Sequence, residues 1–474
     1  MRNLFGYLSV SVLSAFVGFL AIPLSTRLFD QQLLGQLNLL VSIALVAYVV
    51  MLLGMDQGYI RFYYEQEGES ARKSLLAHSL CLPIVMSLAL FAVLITCRDW
   101  LGSYLNGDPT LVALSLGLLV ISLVLLRFAI CFCRVANWLA LFGIFTIINV
   151  LFSKCIYLFN VGEKTLSATL AAIILVSAVA IAVCLSFLVG RSFGGDIPKR
   201  RPVSFKKLLC YSFPLMPAML LSTVNANIPL FFVRSILDFA AVGLFSMAVT
   251  VSSVINVIGS GVNSFWPTFV FENYKTKQHT IQLFHQALTF CLLVFASVLI
   301  AVRPIIPVFL GEGYESSGDL FAILLISPLC YVIGETAGIG IHVEKKSYLY
   351  LAIYSAGLIV NIVLCFLLTR AFGVAGAAAS VSLTAIAMLL IKAVVGNRFY
   401  NSTGSVRWLI SAITLVSAQA ITCQMTTDYL ATVAVSLACI GLFPLFVGVS
   451  TFKRSSREVV KKICLAMEER RAGR

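Results

Sequence analysis

The sequence predicts an all-α, polytopic membrane protein of about 14 transmembrane helices, each spanning a hydrocarbon core. Three observations carry that reading: long uncharged runs, a one-sided distribution of basic residues, and an internal repeat. Hydrophobic residues make up 60% of the 474 and charged residues only 11%. Soluble domains run roughly 45–50% apolar and about 25% charged. A soluble core cannot absorb this much apolar surface, so the bilayer is the better solvent.

The uncharged runs come first. Asp30 to Asp56 encloses 25 residues without a charge, Lys164 to Arg191 encloses 26, Asp238 to Glu272 encloses 33, and Asp428 to Lys453 encloses 24. A crossing needs about 20 apolar residues, and its backbone polar groups must be satisfied internally, which makes each run a helix. Taken in order, the spans are 4–26, 33–54, 75–96, 111–133, 139–160, 166–190, 208–233, 240–266, 286–302, 319–342, 348–369, 373–396, 408–426 and 429–450. The first is long, shows no small-residue cleavage site and is followed at once by others, so it reads as a retained helix and not a signal peptide.

Charge orients these spans. With Lys and Arg near span ends assigned to the closest loop, the side holding both termini collects 27 of the 34. The other side holds six (Arg27, Arg98, Lys164, Arg234, Arg303 and Arg370), and Lys154 lies within a span. The positive-inside rule then places both termini in the cytoplasm. The net charge of +14 is therefore mostly a topology signal, and nucleic acid is not an expected partner. The longest internal polar connection runs from Arg191 to Lys207, and the tail from Lys453 has 22 residues, so neither houses a soluble catalytic domain. In that tail Val460, Ile463 and Met467 share a helical face among basic residues, which suits either a helix on anionic lipid or a solvated end.

The chain also resembles itself at an offset of about 206–212. Ile22-Pro23-Leu24 recurs as Ile228-Pro229-Leu230, Arg27 matches Arg234, and Gly35 matches Gly243. Arg61-Phe62-Tyr63-Tyr64-Glu65 resembles Phe269-Val270-Phe271-Glu272. Arg134 and Asn149 are 15 apart, as are Lys346 and Asn361, and Gly162 matches Gly373. The offset covers six spans, an even number, so the halves insert with the same orientation and are expected to be related by a pseudo-twofold axis along the membrane normal. The expected organisation is two pseudo-symmetric six-helix lobes, 1–200 (spans 1–6) and 201–400 (spans 7–12). Two further spans at 401–452 and a basic cytoplasmic tail at 453–474 complete the chain.

Charges inside apolar segments are expensive, which makes them candidate functional residues. Arg27 and Arg234 follow prolines by four or five residues at corresponding places in the two halves. Paired helix interruptions of this kind point to a transporter binding site, while a lone arginine in that place would simply snorkel to the headgroups. Lys154 in span 5 is expected to face a cavity or a partner, since a charge near the bilayer centre costs about 2.5–3.5 kcal/mol on insertion scales, or else to snorkel outward, because the span ends soon after it. Arg127 in span 4 either joins these substrate-binding candidates or reaches the inner interface. The acidic candidates are Asp238, Asp56, which either pairs with Arg61 or takes part in ion coupling, and Glu335, which is either the best proton- or sodium-responsive group or a hydrogen-bonding bridge to a neighbouring helix. Asn225 and Asn227 in span 7 either line a cavity or bridge helices. The 13 cysteines lie mostly in apolar runs and read as packing residues. Cys131 and Cys133 have no second Cys/His pair at ligand spacing, so neither a metal nor any other cofactor is expected.

Three stretches carry a resemblance to a known family. They are Thr26-Arg27-Leu28 running to Gly35, Leu53-Gly54-Met55-Asp56 leading to Arg61-Phe62-Tyr63-Tyr64-Glu65, and Tyr211-Ser212-Phe213-Pro214-Leu215-Met216-Pro217 leading to Val242-Gly243-Leu244-Phe245-Ser246. The chain resembles the Wzx-type oligosaccharide-lipid flippases of the multidrug/oligosaccharidyl-lipid/polysaccharide (MOP) exporter superfamily. That resemblance implies a bacterial inner-membrane protein, not an enzyme, that moves a polyprenyl-diphosphate-linked oligosaccharide to the outer leaflet by alternating access. The product would feed surface polysaccharide such as O-antigen of lipopolysaccharide, beside polymerase and ligase machinery. It also implies a cationic cavity, which Arg27, Arg234 and Lys154 fit. Span 7 carries Asn225 and Asn227 where some relatives have an acidic residue, which leaves proton or sodium coupling open. A multidrug exporter of the same superfamily is the nearest alternative, although a cationic cavity repels cationic drugs. A membrane glycan polymerase or ligase is a third, disfavoured by the short outward loops and the absence of paired carboxylates.

Overall fold

A computed structural model describes residues 2–160, 162–192, 204–311, 313–314, 316–344, 346, 348–425 and 428–458. The chain divides into two compact units, Met1–Ser246 and Met247–Arg474. The first begins with α1 (Arg2–Leu28), α2 (Gln31–Leu52), α3 (Met55–Tyr63), α4 (Glu69–Thr96) and α5 (Arg98–Leu105). It continues through α6 (Pro109–Val135), α7 (Leu139–Lys154), α8 (Leu166–Ser192), α9 (Phe205–Ser212) and α10 (Met216–Ile236), and ends within α11 (Phe239–Ser252). The second holds α12 (Asn256–Asn273), α13 (Gln278–Ala301), α14 (Ile306–Phe309), α15 (Ser317–Leu324) and α16 (Ile326–Ala337). It closes with α17 (Ile339–Val343), α18 (Tyr348–Phe399), α19 (Val406–Met425) and α20 (Tyr429–Val447).

Among the described residues 11 helices are long and apolar enough to cross a membrane, and Phe16–Leu28 and Leu139–Lys154 are shorter apolar helices. The chain is a multi-pass membrane protein. The longest helix, α18, is two helices joined at Gly373, whose φ of 59° and ψ of −136° leave the helical region. That left-handed φ favours glycine, and it separates the expected spans 348–369 and 373–396. The expected span 139–160 also differs: helix α7 stops at Lys154 and a 3-10 turn, Ile156–Phe159, follows. The tail face of Val460, Ile463 and Met467 lies outside the described residues, as does most of the Arg191–Lys207 connection.

Four of the 20 acidic residues start helices. Asp30 accepts the Leu33 N–H at 3.0 Å, Asp108 accepts those of Thr110 and Leu111 at 2.9 and 3.0 Å, and Asp428 accepts that of Leu430 at 3.0 Å. Each satisfies a backbone donor that the first turn leaves without a partner. Asp238, a functional candidate by sequence, does the same for α11 through the Ala241 N–H at 2.7 Å. Asp30 and Asp238 are separated by the repeat offset of 208 that also separates Asn38 from Ser246, whose side chains share a 2.8 Å hydrogen bond.

The contact between α2 and α11 is reciprocal. A methyl group on Gly35 would stand 1.9 Å from the Phe239 carbonyl oxygen, and one on Gly243 would stand 2.1 Å from that of Gln31. Gln31 and Phe239 are again 208 apart, so the two contacts mirror one another. Only glycine permits this approach, which is why both halves carry it. In the second unit, residues 449–458 form a helical segment that packs Phe452 on Trp408 at 5.7 Å. Ser455 donates to Gln286 at 2.9 Å, and Glu458 takes His279 and Arg454.

Candidate functional site

The first unit gathers its functional candidates from α1, α3, α6, α7 and α10. After α2 the backbone reverses through Leu53 and Gly54, both left-handed, and Asp56 falls in the first turn of α3. There Asp56 is 0% exposed. Its Oδ2 accepts Arg127 Nη2 at 2.7 Å, Arg127 Nε at 2.9 Å and Gln57 Nε2 at 2.8 Å. Its Oδ1 is buried without a hydrogen bond. The expected pairing with Arg61 is therefore corrected: Arg61 bonds Glu65 at 2.7 Å in the turn just past its own helix, while Asp56 faces α6. Arg127, 31% exposed, is likewise committed to this pair and does not simply reach the interface.

The other cations of this unit have different surroundings. Arg234, in the last turn of α10, lies 4.0 Å from the Phe239 ring and donates Nη2 to the Tyr104 carbonyl at 3.3 Å, while its Nε is buried without a hydrogen bond. Among the described residues it has no carboxylate within salt-bridge distance. Lys154 closes α7 as an exposed residue with no hydrogen bond or ion pair among the described residues, and its Nζ would stand 3.8 Å from a methyl group on Gly18 of α1. Arg27 occupies the last turn of α1 and is exposed. Pro23 and Pro229 lie inside α1 and α10, so each removes a helix hydrogen bond a turn or two before an arginine. Asn225 and Asn227 sit half-buried just ahead of Pro229, and Asn227 returns a 2.8 Å hydrogen bond to the Thr223 carbonyl of its own helix.

The second unit holds a separate cluster. Lys392 of α18 is 3% exposed, and its Nζ bonds Glu335 Oε1 of α16 at 2.8 Å and the Tyr354 hydroxyl at 3.4 Å. The rings of Tyr354, Tyr350 and Tyr331 lie 5.0, 5.5 and 5.6 Å from that nitrogen, within cation–π range. Tyr350 donates its hydroxyl to the Gly338 carbonyl at 3.0 Å and stacks on His342 at 4.6 Å. Glu335 keeps 22% of its side chain exposed, and its Oε2 takes no hydrogen bond among the described residues.

This geometry stands beside a clear relationship. A family model described as "Polysaccharide biosynthesis protein" matches residues 1–271. The chain belongs to that family. Two solved structures share the fold of this polysaccharide biosynthesis protein. One, "Lipid II flippase MurJ, inward closed conformation", superposes with a TM-score of 0.67 at 15% identity, covering 93% of this chain and 98% of that one. The other, an inward-facing "multidrug resistance MATE family transporter of the MOP superfamily", gives 0.56 at 13% identity, covering 89% and 100%. No curated protein sequence matches the chain significantly.

Sequence reasoning missed Lys392 and its tyrosines. Lys392 was expected among the cations of the loop after span 12, yet 21 uncharged residues separate it from Arg370, which is a signal that it lies inside a span. The i, i+4 pairs Tyr331/Glu335 and Tyr350/Tyr354 were a second signal, because such pairs share a helix face. With Arg127 and Lys392 removed from the 27 cations assigned to one side, 25 still stand against six.

Proposed function

We propose that this polysaccharide biosynthesis protein is a flippase. It carries a polyprenyl-diphosphate-linked oligosaccharide from the cytoplasmic to the outer leaflet of a bacterial inner membrane by alternating access, for O-antigen or a similar surface polysaccharide. The observation that carries the reading is the pair of cations without carboxylate partners, Arg234 and Lys154, in a chain of this family. A diphosphate cannot cross hydrocarbon without compensating charge, and arginine and lysine supply it as hydrogen-bond donors. Arg27 joins them by its place in the repeat. The lipid tail stays in the bilayer while the protein shields only the headgroup.

In the same proposal the chain crosses the membrane fourteen times with both termini in the cytoplasm, as two six-helix lobes and an added pair. Polymerase and ligase act on the exported unit. Proton or sodium coupling runs through Glu335 or Asp56, whose charges Lys392 and Arg127 balance until a pair opens.

The test is deletion of the gene in its host, complemented with wild type, Arg27→Ala, Arg234→Ala and Lys154→Ala, each checked for expression. The flippase reading expects lipid-linked units to accumulate on the cytoplasmic face, surface glycan to vanish, and the three variants to restore it poorly. Unchanged surface glycan with raised sensitivity to cationic drugs would replace it with the drug-exporter reading. Units that reach the outer leaflet but stay unpolymerised or unligated would point to a polymerase or ligase.

A further inference from the structure

The second unit carries two polar stripes that its apolar helices do not need for folding. On α12 Asn256, Ser260 and Asn263 recur at helical spacing, and all three are exposed. On α16 and α17 the stripe is Tyr331, Glu335 and His342, with Tyr331 45% exposed and His342 exposed. The two helices pack together, with Asn263 of α12 beside Tyr331 of α16, so the stripes meet on one side. Lipid would leave the exposed amides, the second carboxylate oxygen and the imidazole nitrogens poorly compensated, so this side is assigned to water.

The composition of that wall is specific. The Lys392 ammonium is buried and inaccessible, and it fixes Glu335 through Oε1 while neutralising its charge. Oε2, which takes no hydrogen bond among the described residues, is then a partly exposed acceptor without the net charge that would recruit a metal or a cationic drug. Beside it stand the open Tyr331 ring, the Asn263 amide and the His342–Tyr350 stack. A flat aromatic face next to a carboxylate oxygen and an amide is complementary to a pyranose: the C–H face lies on the ring while hydroxyls donate to the oxygen. A diphosphate finds nothing comparable, because Lys392, the cation beside this wall among the described residues, is already paired.

We propose that the wall built by Tyr331, Glu335, Asn263 and His342 is a carbohydrate-recognition site that takes a hexopyranose ring of the transported glycan, with Lys392 as the residue positioning Glu335. The proposal rests on the flippase reading for its ligand, and gives the sugar a place distinct from the residues assigned to the diphosphate.

Saturation-transfer NMR on protein in lipid nanodiscs tests it, with methyl glucopyranoside, methyl galactopyranoside and N-acetylglucosamine as the probes and excess inorganic diphosphate as a competitor that should not displace them. At least one glycoside should receive saturation at its ring C–H protons. Tyr331→Ala should weaken its binding roughly tenfold, the loss of one aromatic contact, while Tyr331→Phe and Arg234→Ala retain it. Matching melting temperatures among the variants separate contact from folding. Absence of transfer to every glycoside, or transfer that Tyr331→Ala leaves unchanged, overturns the proposal. Sugar binding lost in Tyr331→Ala, in a protein whose gene deletion leaves surface glycan intact, upholds the site while rejecting the flippase reading.

Discussion

Asp56–Arg127 in the first unit and Lys392–Glu335 in the second are largely buried ion pairs, unequal in opposite senses. In the first, the acid is sealed at 0% exposure while Arg127 keeps 31%. In the second, the base is sealed at 3% while Glu335 keeps 22%. Deleting the open partner leaves a charge stranded inside, and breaking a buried pair in that way costs about 3–5 kcal/mol. Deleting the sealed partner leaves a charge that water reaches, and the loss then resembles that of a surface pair, about 0–1 kcal/mol. Partial exposure puts the stranding cost at the lower end, about 3 kcal/mol, or a fall of roughly 6–12 °C in melting temperature for a unit of this size. Thus Arg127→Met should destabilise far more than Asp56→Asn, and Glu335→Gln more than Lys392→Met. The double variants Asp56→Asn/Arg127→Met and Glu335→Gln/Lys392→Met should recover most of the loss, because neither leaves a stranded charge. Thermal unfolding of purified protein in nanodiscs measures all six. Equal losses for the two members of a pair, or strictly additive double variants, would refute the stranded-charge argument. Arg127 and Glu335, the open members, are also 208 apart in sequence, so the costly deletion should fall at the same place in both repeats.

Three further outcomes follow from the geometry. Gly35→Ala and Gly243→Ala each drive a methyl group into a backbone carbonyl and should each cost about 1–3 kcal/mol in the same melts. Gly190→Ala, with nothing within 4 Å, should be neutral or stabilising. Arg234→Ala should cut glycan export about tenfold or more, as expected for losing a charge-assisted contact, with Arg234→Lys recovering part of it in the complementation assay. Hydrogen bonds from His279 and Arg454 hold the Glu458 carboxyl below its ordinary range. A depressed folded-state value means that this docking is complete above the usual glutamate pKa and is lost as pH falls through the lower folded value. Limited proteolysis near residue 455 should therefore accelerate on acidification in the wild type, and already be fast at neutral pH in Glu458→Ala.

What the sequence determined alone is what bilayer physics writes along one dimension. Uncharged runs long enough to cross appear as helices, Asp30 and Asp428 bound two of those runs, and Gly35 and Gly243 stand at matching offsets. These follow from hydrogen-bond satisfaction and segment length, which are local. Partnership is not local. Asp56 found Arg127 71 positions away instead of Arg61 nearby, and Glu335 found Lys392 57 positions on. The cost of a charge in an apolar helix is legible in the sequence, but the residue that offsets it depends on the rotation of each helix about its axis. Packing alone sets that rotation, as the glycine crossing of α2 and α11 and the three tyrosines around one ammonium demonstrate.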